Sequence, residues 1–315
     1  MKKSLKRIGY FILTMFLLLN IIIAFHAYKF THFFIRNEAV VNKEINASTF
    51  SAVGSIFFGI DSYKLPIKYQ PNHAYQTFTI TSKDGIPLEG WYVPYRNAKG
   101  TVLLFHGHGG NKAGVLEEAD AFYKLGYNTC MIDFRNHGNS KGTSCTIGYK
   151  ESADVKAAYD FIQAKGEKNI VLYGISMGAA TAMKAMVDYD LHPSKLILEM
   201  PFGTLTNAVK GRIKMMGLPE QPFATLLTFW GGAENGIWAF GLKPIEYAKE
   251  ISTPTLLQWG KEDNRVTANE TATIFTNLAS KEKKLIEYDS SGHQSLLHNE
   301  HDKWMQSVSH FLENQ

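Results

Sequence analysis

Acyl-transfer chemistry by a serine needs three things: a hydroxyl held in the open, a base to take its proton, and a carboxylate to orient that base. This 315-residue chain offers all three in Ser176, His293 and Asp263. Ser176 is the centre of Gly174-Ile175-Ser176-Met177-Gly178, between an apolar run, Asn169 to Tyr173, and a small-residue helical pattern, Ala179 to Val187. A strand that turns sharply into a helix forces its central residue into a strained backbone, and glycines two places either side remove the side chains that would collide. The plainer alternative is a serine that caps a helix packed on a sheet.

The five-residue pattern occurs twice. Gly138-Asn139-Ser140-Lys141-Gly142 also reads G-x-S-x-G, but it follows a polar stretch and leads into Thr143, Ser144 and Gly148, so Ser140 is expected in a loop. Downstream of Ser176, Thr255 to Trp259 reads as a buried strand ending at Gly260, with Asp263 in the turn beyond. Lys284 to Tyr288 reads as another strand, followed by His293. Each candidate thus lies past the carboxyl end of a strand, where open α/β sheets assemble their sites. Glu262 and Asp289 are rival acids by proximity. His298 and His301, near His293, lack the separated ligand pairs of zinc sites and read as a solvated helix surface, so no metal is expected.

From about Tyr75 onward the chain resembles the α/β-hydrolase superfamily, in particular Bem46-like proteins and serine aminopeptidase-like (S33-type) hydrolases. The resemblance rests on Phe105-His106-Gly107-His108-Gly109-Gly110, on Asp133 to Ser140, on the elbow, and on Gly260-Lys261-Glu262-Asp263-Asn264-Arg265-Val266 ahead of Gly292-His293. It favours Asp263 as the acid through G-x-x-D-x-x-V. It further implies an oxyanion hole from the backbone NH groups of His108 and Met177, with His106 as a packed support and the His108 side chain as pocket wall. The family usually has Gly where Asn136 stands, which leaves the pocket rim less secure.

Ile8 to Tyr28 contains no Asp, Glu, Lys or Arg and is long enough to cross a hydrocarbon core of about 30 Å. With Lys2, Lys3, Lys6 and Arg7 before it, it reads as an uncleaved signal anchor: a single pass, amino end cytoplasmic, catalytic domain outside or periplasmic. A cleaved signal peptide and a secreted enzyme form the alternative. Because every catalytic candidate lies later, a chain begun near Arg36 is expected to keep the chemistry.

The domain organisation expected is a basic start (1–7), the transmembrane segment (8–28), a connecting region (29–74) and an α/β-hydrolase domain (75–315). The region's apolar patch, Val53 to Gly59, is expected on the membrane or on the domain. Within the domain, a hairpin from Gln76–Thr81 and Leu88–Val93 precedes alternating strands and helices, which argues for a mostly parallel sheet flanked by helices. At about 201–251 the alternation stops, and a helical cap is expected over the site. Its Met215, Met216, Phe223, Leu226, Leu227, Phe229, Trp230, Trp238 and Phe240 suit an apolar pocket or the packing of cap on core.

The chain carries 33 Lys plus Arg against 29 Asp plus Glu, and the four basic residues before Ile8 account for the excess. No nucleic-acid footprint follows. Two cysteines, Cys130 and Cys145, make no disulfide scaffold. The function expected is a membrane-anchored serine hydrolase that cleaves a small, partly apolar ester through an acyl-enzyme, without a cofactor. An aminopeptidase-like amide or thioester hydrolase, and a non-catalytic binding protein that keeps the fold, are the alternatives.

Overall fold

The computed structural model describes residues 2–35, 59 and 61–313; the apolar patch from 53 to 58 lies outside them. The core of the fold is an eight-stranded sheet. Its strands are β3 (Gln76–Thr81), β4 (Pro87–Val93), β5 (Thr101–Phe105), β6 (Asn128–Ile132), β7 (Ile170–Ile175), β8 (Lys195–Glu199), β9 (Thr255–Gly260) and β10 (Lys283–Tyr288). They run side by side in the order β10-β9-β8-β7-β5-β6-β4-β3. The hairpin β3–β4 and its junction with β6 are antiparallel, and all other pairings are parallel. β5 and β9 are buried at every position, as expected for strands covered by helices on both faces.

The covering helices include α2 (Leu116–Lys124), α3 (Ser152–Ala164) and α4 (Met177–Tyr189). The chain moves from β5 outward to β6 and then returns to the other side of β5 as β7. That reversal opens a crevice at the carboxyl ends of β5 and β7, the place where doubly wound sheets bind ligands.

Between β8 and β9 lie α5 (Leu205–Met215), α6 (Phe223–Asn235) and the short α7 (Pro244–Tyr247); α8 (Ala268–Asn277) then joins β9 to β10, and α9 (Leu296–Asn299) and α10 (His301–Glu313) close the chain. Thr204 caps α5 by accepting from the Asn207 NH, and Thr267 and Glu270 form a reciprocal capping box on α8.

The N-terminal helix α1 runs from Lys2 to Thr31, about 45 Å at 1.5 Å per residue, and is long and apolar enough to cross a membrane. Its first half is exposed. In its second half Ile23, Ala27 and Thr31, four residues apart and hence on one stripe, are buried. α6 packs along this half, and Trp230 donates from its indole NH to Asn20 Oδ1 at 3.0 Å. Beyond α1, β1 (Phe33–Phe34) pairs in parallel with β2 (Ser62–Tyr63).

Candidate active site

Ser176 follows β7 with φ +53° and ψ −112°, in the left-handed half of backbone space that a residue other than glycine rarely occupies. The turn is possible only because its flanks are bare. A Cβ on Gly174 would lie 2.5 Å from the Ala179 nitrogen, and one on Gly178 would strike the Phe105 carbonyl. The Ser176 hydroxyl, lifted off the sheet, donates to His293 Nε2 at 2.9 Å. His293 Nδ1 in turn donates to Asp263 Oδ2 at 2.7 Å. Asp263 is itself fixed: its buried carboxylate accepts from the NH groups of Arg265 (2.7 Å) and Val266 (2.9 Å) through Oδ1.

The rival acids are elsewhere. Asp289 is exposed and paired with Lys261 at 2.6 Å and Lys303 at 3.1 Å, and those two ammonium groups hold its pKa down. Glu262 is exposed. His298 and His301 are exposed, against Glu117 and Asp302, and no cluster of metal-ligating side chains occurs among the described residues. Cys130 and Cys145 are both buried free thiols.

His108 and Met177 line the same cavity as Ser176, and among the described residues nothing takes up either backbone NH. The loop carrying His108 is braced from beneath. The Phe134 NH donates to His106 Nε2 at 3.1 Å, so the His106 Nδ1–H faces the Gly107 carbonyl at 2.7 Å. The Gly109 NH donates to His137 Nε2 at 3.1 Å, while His137 Nδ1 faces the Arg135 carbonyl at 2.9 Å. Burial pushes the pKa of His106 down to about 4 and that of His137 to about 3, so both act as neutral rings with fixed tautomers. Asn136, the departure from the family pattern, has φ +57°, a conformation open to asparagine as well as glycine.

The cavity at Ser176 measures about 220 Å³. Phe202, Val209 and Val266 form apolar walls, and Arg212 and Arg265 supply the polar part. None of the nine cap residues expected as pocket candidates lines it. Met215, Met216, Phe229 and Trp238 are exposed, and Trp230 is turned to α1. Phe223 and Leu227 pack on the core, and part of the pocket wall comes from α1: Phe30, in its last turn, stacks on the His108 ring with centroids 4.7 Å apart. A larger cleft of about 600 Å³ near Tyr69 and His73 shares no lining residue with the Ser176 cavity.

A sheet with this strand order, a strained strand-to-helix turn and helices on both faces is the α/β-hydrolase fold. The family described as serine aminopeptidase, S33, matches residues 96–229. The chain is 24% identical over 241 residues to the Bacillus subtilis protein YqkD, covering 75% of this chain and 79% of that one. It is 25% identical to the Saccharomyces cerevisiae membrane protein YNL320W, across 71% of this chain and 75% of the relative. The Pyrococcus furiosus esterase Pf2001 superposes with a TM-score of 0.68 at 24% identity, covering 79% of this chain and 96% of that one. An esterase from Exiguobacterium antarcticum gives 0.59 at 19% identity, covering 76% of this chain and all of the esterase.

Proposed function

We propose that the protein is a membrane-anchored serine hydrolase that cleaves a carboxylic ester through an acyl-enzyme. The observation that carries this is the hydrogen-bonded chain Ser176–His293–Asp263, at 2.9 and 2.7 Å, on a strained elbow that opens into a cavity. His293 Nε2 takes the Ser176 proton as Oγ bonds to the substrate carbonyl carbon, and Asp263 steadies the imidazolium. The NH groups of His108 and Met177 hold the oxyanion. Collapse breaks the bond to the leaving alkoxide, which receives the proton from His293. Water then attacks the acyl-enzyme by the same route, releasing the acid and restoring Ser176.

Ester cleavage is favoured over aminopeptidase activity by charge. An aminopeptidase must seat a cationic α-amino group, yet among the described residues the cavity lining contains Arg212 and Arg265 and no carboxylate. The esterase names of two fold neighbours agree with this choice. The anchor is α1, with the amino end cytoplasmic behind four basic residues and the domain on the far side. The name of the yeast relative, a membrane protein, supports the anchor. A fluorophosphonate probe tests the chemistry: the full chain should be labelled and Ser176→Ala should not. A folded full chain that resists the probe and cleaves no ester would leave the binding-protein alternative.

A further inference from the structure

Two cations face the Ser176 cavity, and among the described residues no carboxylate pairs with either guanidinium. Arg212 projects from α5, and Arg265 from the turn that also holds Asp263. The two backbones approach closely at Gly211, where a Cβ would lie 2.5 Å from the Arg265 carbonyl oxygen. Arg212 donates to His108 Nδ1 at 3.1 Å and lies over the Phe30 ring at 5.3 Å, while Arg265 points its Nε at the Met215 sulfur at 3.1 Å. Neither has a carboxylate within ion-pairing distance among the described residues, in contrast to Arg135, which is clamped by Asp84 and Asp154. Burial, and secondarily the charge of Arg265, lower the pKa of Arg212.

Like charges that share a half-buried cavity raise each other's energy, and an entering anion removes that cost. A guanidinium fork is also matched in shape to a carboxylate or phosphate. The rest of the lining, Ile147, Phe202, Val209 and Val266 among it, suits hydrocarbon, and about 220 Å³ is below the usual size of drug-sized ligand sites. We infer that the substrate is an anionic ester whose carboxylate or phosphate is held by Arg212 and Arg265 while its ester carbonyl meets Ser176. This rests on the serine hydrolase reading. The anion can belong to a soluble acid-terminated ester or to a lipid headgroup presented at the membrane end of α1, beside Phe30.

The test uses the full chain in detergent with two substrate pairs of matched acyl length. One pair is 4-nitrophenyl valerate and 4-nitrophenyl hemiglutarate; the other is mixed micelles of a diacylglycerol and of the phosphatidic acid with the same acyl chains. The anionic member of at least one pair should have the higher kcat/KM, and Arg212→Gln and Arg265→Gln should each lower it about tenfold more than they lower its neutral partner, mainly through KM. That margin is the scale of one charge-assisted hydrogen bond, and Arg212→Lys should recover part of it. Preference in the first pair identifies a soluble ester, and in the second a headgroup. Equal losses on anionic and neutral substrates, or a neutral preference in both pairs, would overturn the inference. Fluorophosphonate labelling of each variant reports a competent Ser176, so labelled protein without anion preference sinks this inference alone. A wild type that is neither labelled nor active sinks the hydrolase reading and this with it.

Discussion

Ser140 and Ser176 stand at the centre of the same five-residue pattern and have opposite fates. Ser140 is buried, donates to the Asp133 carbonyl at 2.6 Å and accepts from the Glu89 NH at 2.9 Å. Its hydroxyl is spent on holding a loop. Ser176 lies at φ +53° with its hydroxyl directed to His293. What differs is the strand that enters and the helix that leaves: glycines in a loop permit turns, whereas glycines around an elbow permit a backbone collision to be avoided. The two motifs also cooperate, because the loop of the first carries His137, which accepts from the Gly109 NH in the loop beside the second.

The sharpest way to break this contrast is to remove each hydroxyl. Ser176→Ala is expected to lower kcat by up to about 10⁶-fold in folded protein. Ser140→Ala should instead cost roughly 1–3 kcal/mol of stability, since it leaves a buried NH unpaired, with turnover of the folded protein largely kept. Kinetics beside urea denaturation separate the two, and similar catalytic losses would erase the distinction. The acids come next. Asp263→Asn should reduce kcat by about 10⁴-fold, as expected when the histidine loses its orienting carboxylate. Asp289→Asn, which removes only exposed ion pairs, should be near neutral. The reverse ranking would move the acid to Asp289.

Much of this site is legible in the sequence because its signals are local. The apolar runs ending in Gly174, Gly260 and Tyr288 mark strands, and the residues beyond them fall at the sheet's carboxyl edge. Arg212, Arg265 and Phe30 carry no such signal. An arginine in a polar helix face, another in a turn, and a phenylalanine at the end of an apolar helix each look ordinary, and only the packing of α5 and α1 over the elbow brings them to one cavity. The cap shows the same limit: α5 lines the cavity through Val209 and Arg212, but not through the residues that the cap's composition singles out. Its aromatics and methionines announce an apolar surface, but composition does not say whether that surface faces substrate, core or anchor. Here α6 lies along α1.

The bracing histidines allow the comparison to be sharpened by pH. Above the ordinary 6.5, His137 is neutral in both folded and unfolded chains. Below it the unfolded chain gains a proton that the folded ring refuses until about pH 3, so this contribution to stability is lost as pH falls from 6.5. Glu118 and Glu199, buried carboxyls raised by desolvation to about 7 and 8, act with the opposite sign. The histidine effect must therefore be read as a difference. Between pH 7 and pH 5, His137→Gln should gain about 2 kcal/mol relative to wild type, roughly thirtyfold in the unfolding equilibrium. Parallel pH profiles for the two proteins would mean that His137 is protonated in the fold.

The smallest effect bears on whether anchor and chemistry are separate, as the sequence alone leads one to expect. Phe30 stacks on His108 and underlies Arg212, and the Thr31 carbonyl accepts from the Cys145 NH at 2.7 Å, so the last turn of α1 is built into the site. An aromatic contact of this kind is worth about 0.5–1.5 kcal/mol beyond burial. Phe30→Ala in the full chain should accordingly lower kcat/KM by about three- to tenfold. Phe16→Ala, at an exposed position in the first half of the same helix, should leave it unchanged. A chain begun at Arg36 should lose at least as much as Phe30→Ala, because Phe30, Thr31 and Phe33 leave together and the face of α6 is bared. If Phe30→Ala matches Phe16→Ala and the shortened chain keeps its full rate, the anchor only tethers and the cavity owes nothing to it.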